Sequence, residues 1–199
     1  MPGARPSFSR AELDAFRGTE VPDLLGPGLR LLFVGINPGL WTAAVQTHFA
    51  HPGNRFYPAL HRAGITAHEI DRARGMSDAD RAHLVERGVG ITNLVRRATA
   101  RADELTAEEL RAGGERLLGL VRERRPAVVA IAGITAYRDA FGERRAQAGR
   151  QPDRLDGPFA GTPLWVVPNP SGLNAHATVE SLAEVYRAAA VEAGVVPAT

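Results

Sequence analysis

Cysteine and lysine are both missing from the 199 residues. Without thiols the chain has no disulfide, no thiolate zinc site and no thiolate-held iron–sulfur cluster. Without a side-chain amine, Schiff-base catalysis loses its usual nucleophile. All 24 basic residues are arginines, set against 22 acidic residues, and the net charge of +2 does not by itself mark a polyanion partner. Aromatic residues make up only 6% of the chain. No apolar run is long enough to cross a bilayer and no leader pattern opens the sequence, so a cytoplasmic protein without membrane contact is expected. What remains is ordinary globular material, 44% hydrophobic and 23% charged. The length predicts one domain over residues 1–199 with a core of its own.

Periodicity and punctuation predict alternating strands and helices. Ser9 to Glu12 has capping-box spacing and opens a short helix through about Phe16. Leu29 to Ile36 is too continuously apolar for a half-exposed strand and reads as a buried parallel one. Leu40 to Asn54 lacks periodicity and reads as a long ordered loop. A helix is expected from about Arg55 to Ala63, N-capped by Asn54, and another from Ser77 to Gly88. Val89 to Thr92 and Ala127 to Ala132 read as strands. Between them a second capping box at Thr106 starts a helix that ends by Pro126. A helix from about Ile134 to Phe141, a surface excursion over Gly142 to Thr162, a strand over Leu164 to Val167 and a last helix from about Thr178 complete the chain. The ends, Met1 to Ser7 and Val195 to Thr199, look dispensable. The alternation implies an α/β fold with a mostly parallel sheet covered on both faces.

In such sheets ligands bind beyond the carboxyl ends of the strands. Gly35-Ile36-Asn37-Pro38-Gly39 and Asn169-Pro170-Ser171-Gly172-Leu173-Asn174 each follow a buried strand directly. Either alone reads equally as a turn; together they point to a site. With Phe49-Ala50-His51-Pro52-Gly53-Asn54-Arg55-Phe56 between them, they resemble the mismatch-specific uracil-DNA glycosylases. These group with the thymine-DNA glycosylases in the uracil-DNA glycosylase superfamily. The likeness extends through Gly90-Ile91-Thr92-Asn93-Leu94-Val95 and the Ala112-Gly113-Gly114 helix, covering roughly Leu31 to Tyr186.

The resemblance implies a three-layer αβα sandwich and hydrolysis of the bond between a damaged base and deoxyribose in double-stranded DNA carrying a mismatched uracil. It implies a monomer, no cofactor and no metal. Asn37 takes the catalytic place, positioning water, since a neutral amide cannot accept the proton outright. Backbone N–H groups around Ile36 and Phe49 suit a cradle for the departing base anion. Ile36, Gly39, Phe49, Asn93 and Asn169 fall at base-binding places. Gly172, Leu173 and Asn174 fall at the wedge that fills the stack vacated by a flipped base. Faster members of the superfamily carry aspartate and histidine where Asn37 and Asn169 stand, which predicts slow, mismatch-dependent chemistry. Trp41-Thr42-Ala43-Ala44 lacks a tyrosine to block a 5-substituent, which hints at thymine-like or etheno-modified bases.

Other readings stay open on the residues alone. Leu173 suits a core anchor and Phe49 a core aromatic, while Asn93 reads equally as a base contact or a strand terminus. His48 and His51 have no further metal-ligand partners around them. His176 fits a phosphate contact or a helix cap, and Arg96, Arg97 and Arg101 fit a solvated face. A non-catalytic mismatch binder on the same fold is the second functional class. A nucleotide-binding enzyme is disfavoured because the chain has neither G-x-G-x-x-G nor a Walker lysine.

Overall fold

In the computed structural model, which describes residues 6–198, four short apolar runs form the centre of one five-stranded sheet. They are β1 (Leu31–Gly35), β2 (Val89–Asn93), β3 (Val128–Ala132) and, after the two-residue β4 (Gly149–Arg150), β5 (Leu164–Val167). The order is β2-β1-β3-β5-β4, parallel throughout except for β4, which pairs antiparallel with β5 at the edge. Every residue of β1, β2 and β3 is buried. That is the pattern of strands covered on both faces, and it explains why they read as continuous apolar runs.

Helices α1 (Arg10–Asp14), α2 (Leu40–Val45), α3 (Phe56–Arg62), α4 (Asp78–Glu86), α5 (Ala107–Arg124), α6 (Ile134–Phe141) and α7 (Val179–Glu192) surround this sheet. Packed on one face are Phe56 and Leu60 of α3 with Leu182 and Tyr186 of α7, against Phe33, Ile91 and Ala130. Leu117 and Val121 of α5, with Tyr137 and Ala140 of α6, pack on the other face against Leu32, Val34 and Ile131. Helix, sheet and helix make three layers. Ser9, Ser77, Thr106 and Thr178 close capping boxes at the starts of α1, α4, α5 and α7. Among the described residues no helix is long and apolar enough to cross a membrane.

Three expectations need correction. The stretch over Leu40 to Asn54, expected as loop, begins with α2, whose Leu40, Thr42 and Ala43 are buried. Its apolar face is too short to register as a period. The excursion over Gly142 to Thr162 carries β4, a strand too short for any alternation to show. At the C-terminus Val196 is 5% exposed and belongs to the core beside α7, so that end is not dispensable. Residues 1–5, including Pro2, and Thr199 lie outside the described residues.

Helix α5 approaches the site through glycine. A Cβ on Gly113 would lie 2.3 Å from the Leu94 carbonyl oxygen, so the helix packs directly on the backbone that follows β2. Gly119 on the same helix has nothing within 4 Å of its Cβ position. Gly119→Ala should therefore stabilise by about 0.8–1 kcal/mol, the helix-propensity difference. Gly113→Ala should destabilise by about 1–3 kcal/mol through overpacking despite the same propensity gain. Urea denaturation of the pair checks this; equal stabilisation by both would refute the close packing.

Candidate functional site

The site lies where β1 and β2 end together. Their parallel pairing continues past the sheet. Leu94 N–H donates to the Gly35 carbonyl at 2.9 Å, Val95 N–H to Ile36 at 2.9 Å and Thr99 N–H to Pro38 at 3.1 Å. The Gly35–Gly39 turn is thus laid along residues 94–99. This brings Asn37 and Thr99, distant in sequence, side by side.

Asn37 is half-buried, and its amide nitrogen meets the carbonyls of Pro38 at 3.1 Å and Arg97 at 3.2 Å and the Thr99 hydroxyl at 2.7 Å. Carbonyls only accept, so the group facing them is the NH2 and not the oxygen. The donors are spent on protein, which leaves Oδ1 as the atom able to accept from a water. Thr99 is 2% exposed, and its own hydroxyl proton goes to the Arg101 carbonyl at 2.7 Å, so it can only accept from Asn37.

Behind Gly35 stand Asn93 and Phe49. A Cβ on Gly35 would fall 2.3 Å from Asn93 Oδ1 and 3.0 Å from the Phe49 ring. Glycine here leaves room for both side chains over the end of β1. Phe49 is half-buried and stacks on Phe56 with ring centroids 4.2 Å apart, so it serves the core while its edge reaches the strand end. Its φ of 55° is an unusual backbone for a bulky residue. Buried polar groups hold that segment in place. Tyr57 donates to the His48 carbonyl at 2.8 Å, Met76 N–H to the Thr47 hydroxyl at 2.9 Å and Ala50 N–H to the Thr42 hydroxyl at 3.2 Å.

His48 is 2% exposed and sets the orientation of Asn93. Its Nε2 lies 2.9 Å from the Pro22 carbonyl and its Nδ1 2.9 Å from Asn93 Nδ2. Pro22 can only accept, so Nε2 carries the proton and Nδ1 accepts from the Asn93 amide. Asn93 Oδ1 is then turned to the Gly35 side. Burial pushes the His48 imidazole down from its ordinary pKa; the Pro22 hydrogen bond and Asp23 oppose this, and Arg81 and Arg96 add to it. Beyond Asn93, Thr92 donates to Asp23 at 2.7 Å and Arg116 donates to the Asn93 carbonyl.

The second loop stands across the sheet end, after β5. Asn169 Oδ1 accepts from Ser171 N–H at 3.1 Å and Asn174 Nδ2 donates to the Asn169 carbonyl at 3.0 Å. Asn174, expected with the wedge, thus ties the loop to itself. Gly172 passes so close to Gly53 that a Cβ would lie 2.7 Å from the Gly53 carbonyl oxygen. Leu173 is 94% exposed, so the core-anchor reading does not hold. A cavity of about 290 Å³ runs between Ile36, Gly133, Ile134, Val167, Asn169 and Asn174. A larger one of about 450 Å³, between Tyr137, Phe159 and Leu164, contains none of the motif residues.

The remaining residues singled out in the sequence have the following partners. Gly39, expected at the base, is exposed at the end of that turn, pairs with Thr99 and has nothing within 4 Å of its Cβ position. Arg97 pairs with Glu109 at 2.5 Å, Arg96 with Glu20 at 3.4 Å and Arg101 with Asp103 at 2.5 Å. His176 donates its N–H to Asn174 Oδ1 at 3.2 Å. Among the described residues no cluster of His, Cys, Asp or Glu could hold a metal ion. Sequence reasoning missed Thr99 and the orienting role of His48. Neither carries a local signal, because both act through partners 45 or more positions away.

Comparisons with known proteins bear on the family and on the fold. A family model described as the uracil DNA glycosylase superfamily matches residues 22–190. A solved structure, described as "Solution NMR Structure of a putative Uracil DNA glycosylase from Methanosarcina acetivorans", superposes with a TM-score of 0.56. It is 16% identical, and the match covers 86% of this chain and 97% of that one, a likeness of fold.

The buried imidazole makes the site sensitive to pH. A group whose folded pKa lies below its unfolded value, about 6.5 for histidine, contributes stability that is complete above that value. The contribution is lost as pH falls through the folded pKa. Protonation would also place a hydrogen on Nδ1 and push Asn93 Nδ2 away. The wild-type melting temperature should therefore fall between pH 7.5 and 5.5. His48→Gln, which does not titrate, should show a shallower slope, although His51, also shifted down by burial, keeps part of it. Parallel slopes in thermal melts across that range would rule out His48 as the titrating group.

Proposed function

Because the chain belongs to the uracil DNA glycosylase superfamily, we propose that it is a monofunctional DNA glycosylase that excises mismatched uracil from double-stranded DNA. The observation that carries this reading is the approach of Phe49 and Asn93 to Gly35 at the end of β1, with Asn37 held against Thr99 in the turn that follows. Each side chain is held by partners that leave one group facing outward.

The chemistry follows from what those groups offer. A flipped base can stack against Phe49, a contact generally giving about 1–3 kcal/mol. Asn93 Oδ1 is an acceptor, suited to the imide N3–H of uracil, whereas cytosine presents a lone pair at that position. Asn37 Oδ1 accepts from water and holds it towards the sugar as oxocarbenium character develops. An amide is a weak base, so the water gains direction more than activation. Stabilising the departing uracil anion then carries most of the rate. Leu173, already exposed, fills the gap that the base leaves, and Gly172 lets the loop backbone come close to the opposite strand. The mismatch enters through the flipping cost, a few kcal/mol for a paired base and least for a mismatched one. Range beyond uracil, towards thymine-like or etheno-modified bases, rests on the small Thr42-Ala43-Ala44 segment after Trp41.

Two experiments test this reading. Asn37→Ala should lower single-turnover excision of uracil opposite guanine at least tenfold while duplex binding persists. Thr99→Val, which removes one of the three acceptors of the Asn37 amide together with the Thr99 bond to the Arg101 carbonyl, should give a smaller loss in the same assay. A folded Asn37→Ala protein with full activity would sink the assignment, and a wild-type chain that binds but never excises would favour the non-catalytic alternative.

The absence of lysine gives the second. The product should be an intact abasic strand that breaks only on alkali treatment, since no side-chain amine can form a Schiff base with the sugar. A covalent adduct trapped by borohydride on uracil-containing duplex would overturn the monofunctional mechanism and direct attention to the N-terminal amine.

A further inference from the structure

An exposed leucine can wedge a base stack only if its loop keeps its shape when DNA pushes back. Loops of small residues around an exposed apolar side chain ordinarily collapse onto the nearest apolar surface. Here Leu173 remains 94% exposed, at the tip of Ser171-Gly172-Leu173-Asn174. The loop's own turns are reinforced by contacts from outside it.

Arg55, the residue before α3, reaches across to it. Its backbone N–H donates to the Pro170 carbonyl at 2.9 Å. Its Nη1 donates to the Ser171 carbonyl at 3.2 Å and to the Asn174 carbonyl at 3.0 Å. The last two carbonyls bracket Gly172 and Leu173 on both sides. A single guanidinium nitrogen therefore ties the two feet of the tip together. The arginine is half-buried and its helix is anchored in the core through Phe56 and Leu60. The neighbouring segment is braced in turn. Arg72 donates to the Pro52 carbonyl at 2.7 Å, and Gly53 lies directly against Gly172.

We propose that Arg55 is a positioning residue for the wedge: by clamping the Ser171 and Asn174 carbonyls it holds Leu173 projected for insertion into the duplex. Arg55 touches neither base nor sugar in this arrangement and acts only through Leu173. The inference rests on the glycosylase reading and deepens it. Lysine reproduces the clamp only in part, because its ammonium sits on a flexible stem and is not held at one place as the rigid guanidinium holds Nη1.

A double-mutant cycle tests it, measured as single-turnover excision of uracil opposite guanine with enzyme in excess. Leu173→Ala and Arg55→Met should each lower the rate at least fivefold. The double variant should be no more than about twofold slower than Leu173→Ala alone, since the clamp has nothing left to position. Arg55→Lys, which keeps charge and length, should fall between wild type and Arg55→Met while its melting temperature stays near wild type. A purely structural role would move differently: the two losses would multiply, and the Arg55→Lys rate would follow its melting temperature. Multiplicative losses, or an Arg55→Lys or Arg55→Met protein as fast as wild type, overturn the proposal. A wild-type chain without any excision removes the glycosylase reading instead, and an unaffected Leu173→Ala removes the wedge on which the clamp depends.

Discussion

The site depends on one close approach, that of the Asn93 and Phe49 side chains to the bare Cα of Gly35. β1 is an interior strand of the sheet, paired on both sides and buried at all its residues, so its end is firmly held. A side chain at Gly35 would occupy the space where the two groups now meet. Every other feature is arranged to serve that point. The β1–β2 pairing runs on into the turns and delivers Asn37 to Thr99. The segment with Phe49 is pinned by buried hydroxyls, and α5 is stripped to glycine where it meets Leu94.

A second constraint is that the polar groups of the motif loops and strand ends are neutral. Asn37, Thr99, Asn93 and Asn169 carry no charge, and burial disfavours the charged form of His48. The nearby arginines are paired with Glu20, Glu109 and Asp103. Buried neutral polar groups do not adjust to one another by titration. Their directions must be set by saturating them with partners, as the Pro22 carbonyl does for His48 and His48 does for Asn93. Leaving such a group unpaired costs about 1–3 kcal/mol, which is what keeps each amide in a single orientation.

Much of this was legible in the sequence, and the reasons divide cleanly. Strands buried on both faces announce themselves as apolar runs, which is why β1, β3 and β5 and the loops after them could be placed from residues alone. Capping boxes at Ser9 and Thr106 are local and so were readable, whereas those at Ser77 and Thr178 close with Asp80 and Ser181 in place of Glu or Gln and read only as helix starts. What escaped is held by long-range polar contact. α2 and the turn to Phe49 are stabilised by Thr42, Thr47 and Tyr57 hydroxyls, which leave no hydrophobic period. Thr99 looks like any loop threonine until the β1–β2 pairing lays it beside Asn37. Arg55 looks like a helix-start arginine until Pro170, Ser171 and Asn174 are seen above it.

The two sides of the site are built on opposite principles, and the chemistry needs both. Around Asn37 and Asn93 the amide nitrogens are bound inward and fixed, which leaves each Oδ1 to meet a water or a base edge at hydrogen-bonding distance with little reorganisation. At Leu173 an apolar group is held outward against its own tendency to be buried, because its partner is the stacked interior of another molecule. The first arrangement follows from the rigidity of parallel strands. The second cannot, since a loop tip has no ladder of its own, and its few internal bonds are reinforced from a neighbour. That is why the stretch between the two motifs contributes to each: Phe49 to the fixed side and Arg55, six residues later, to the projecting one. Separate in sequence, the motifs become one site through that shared segment.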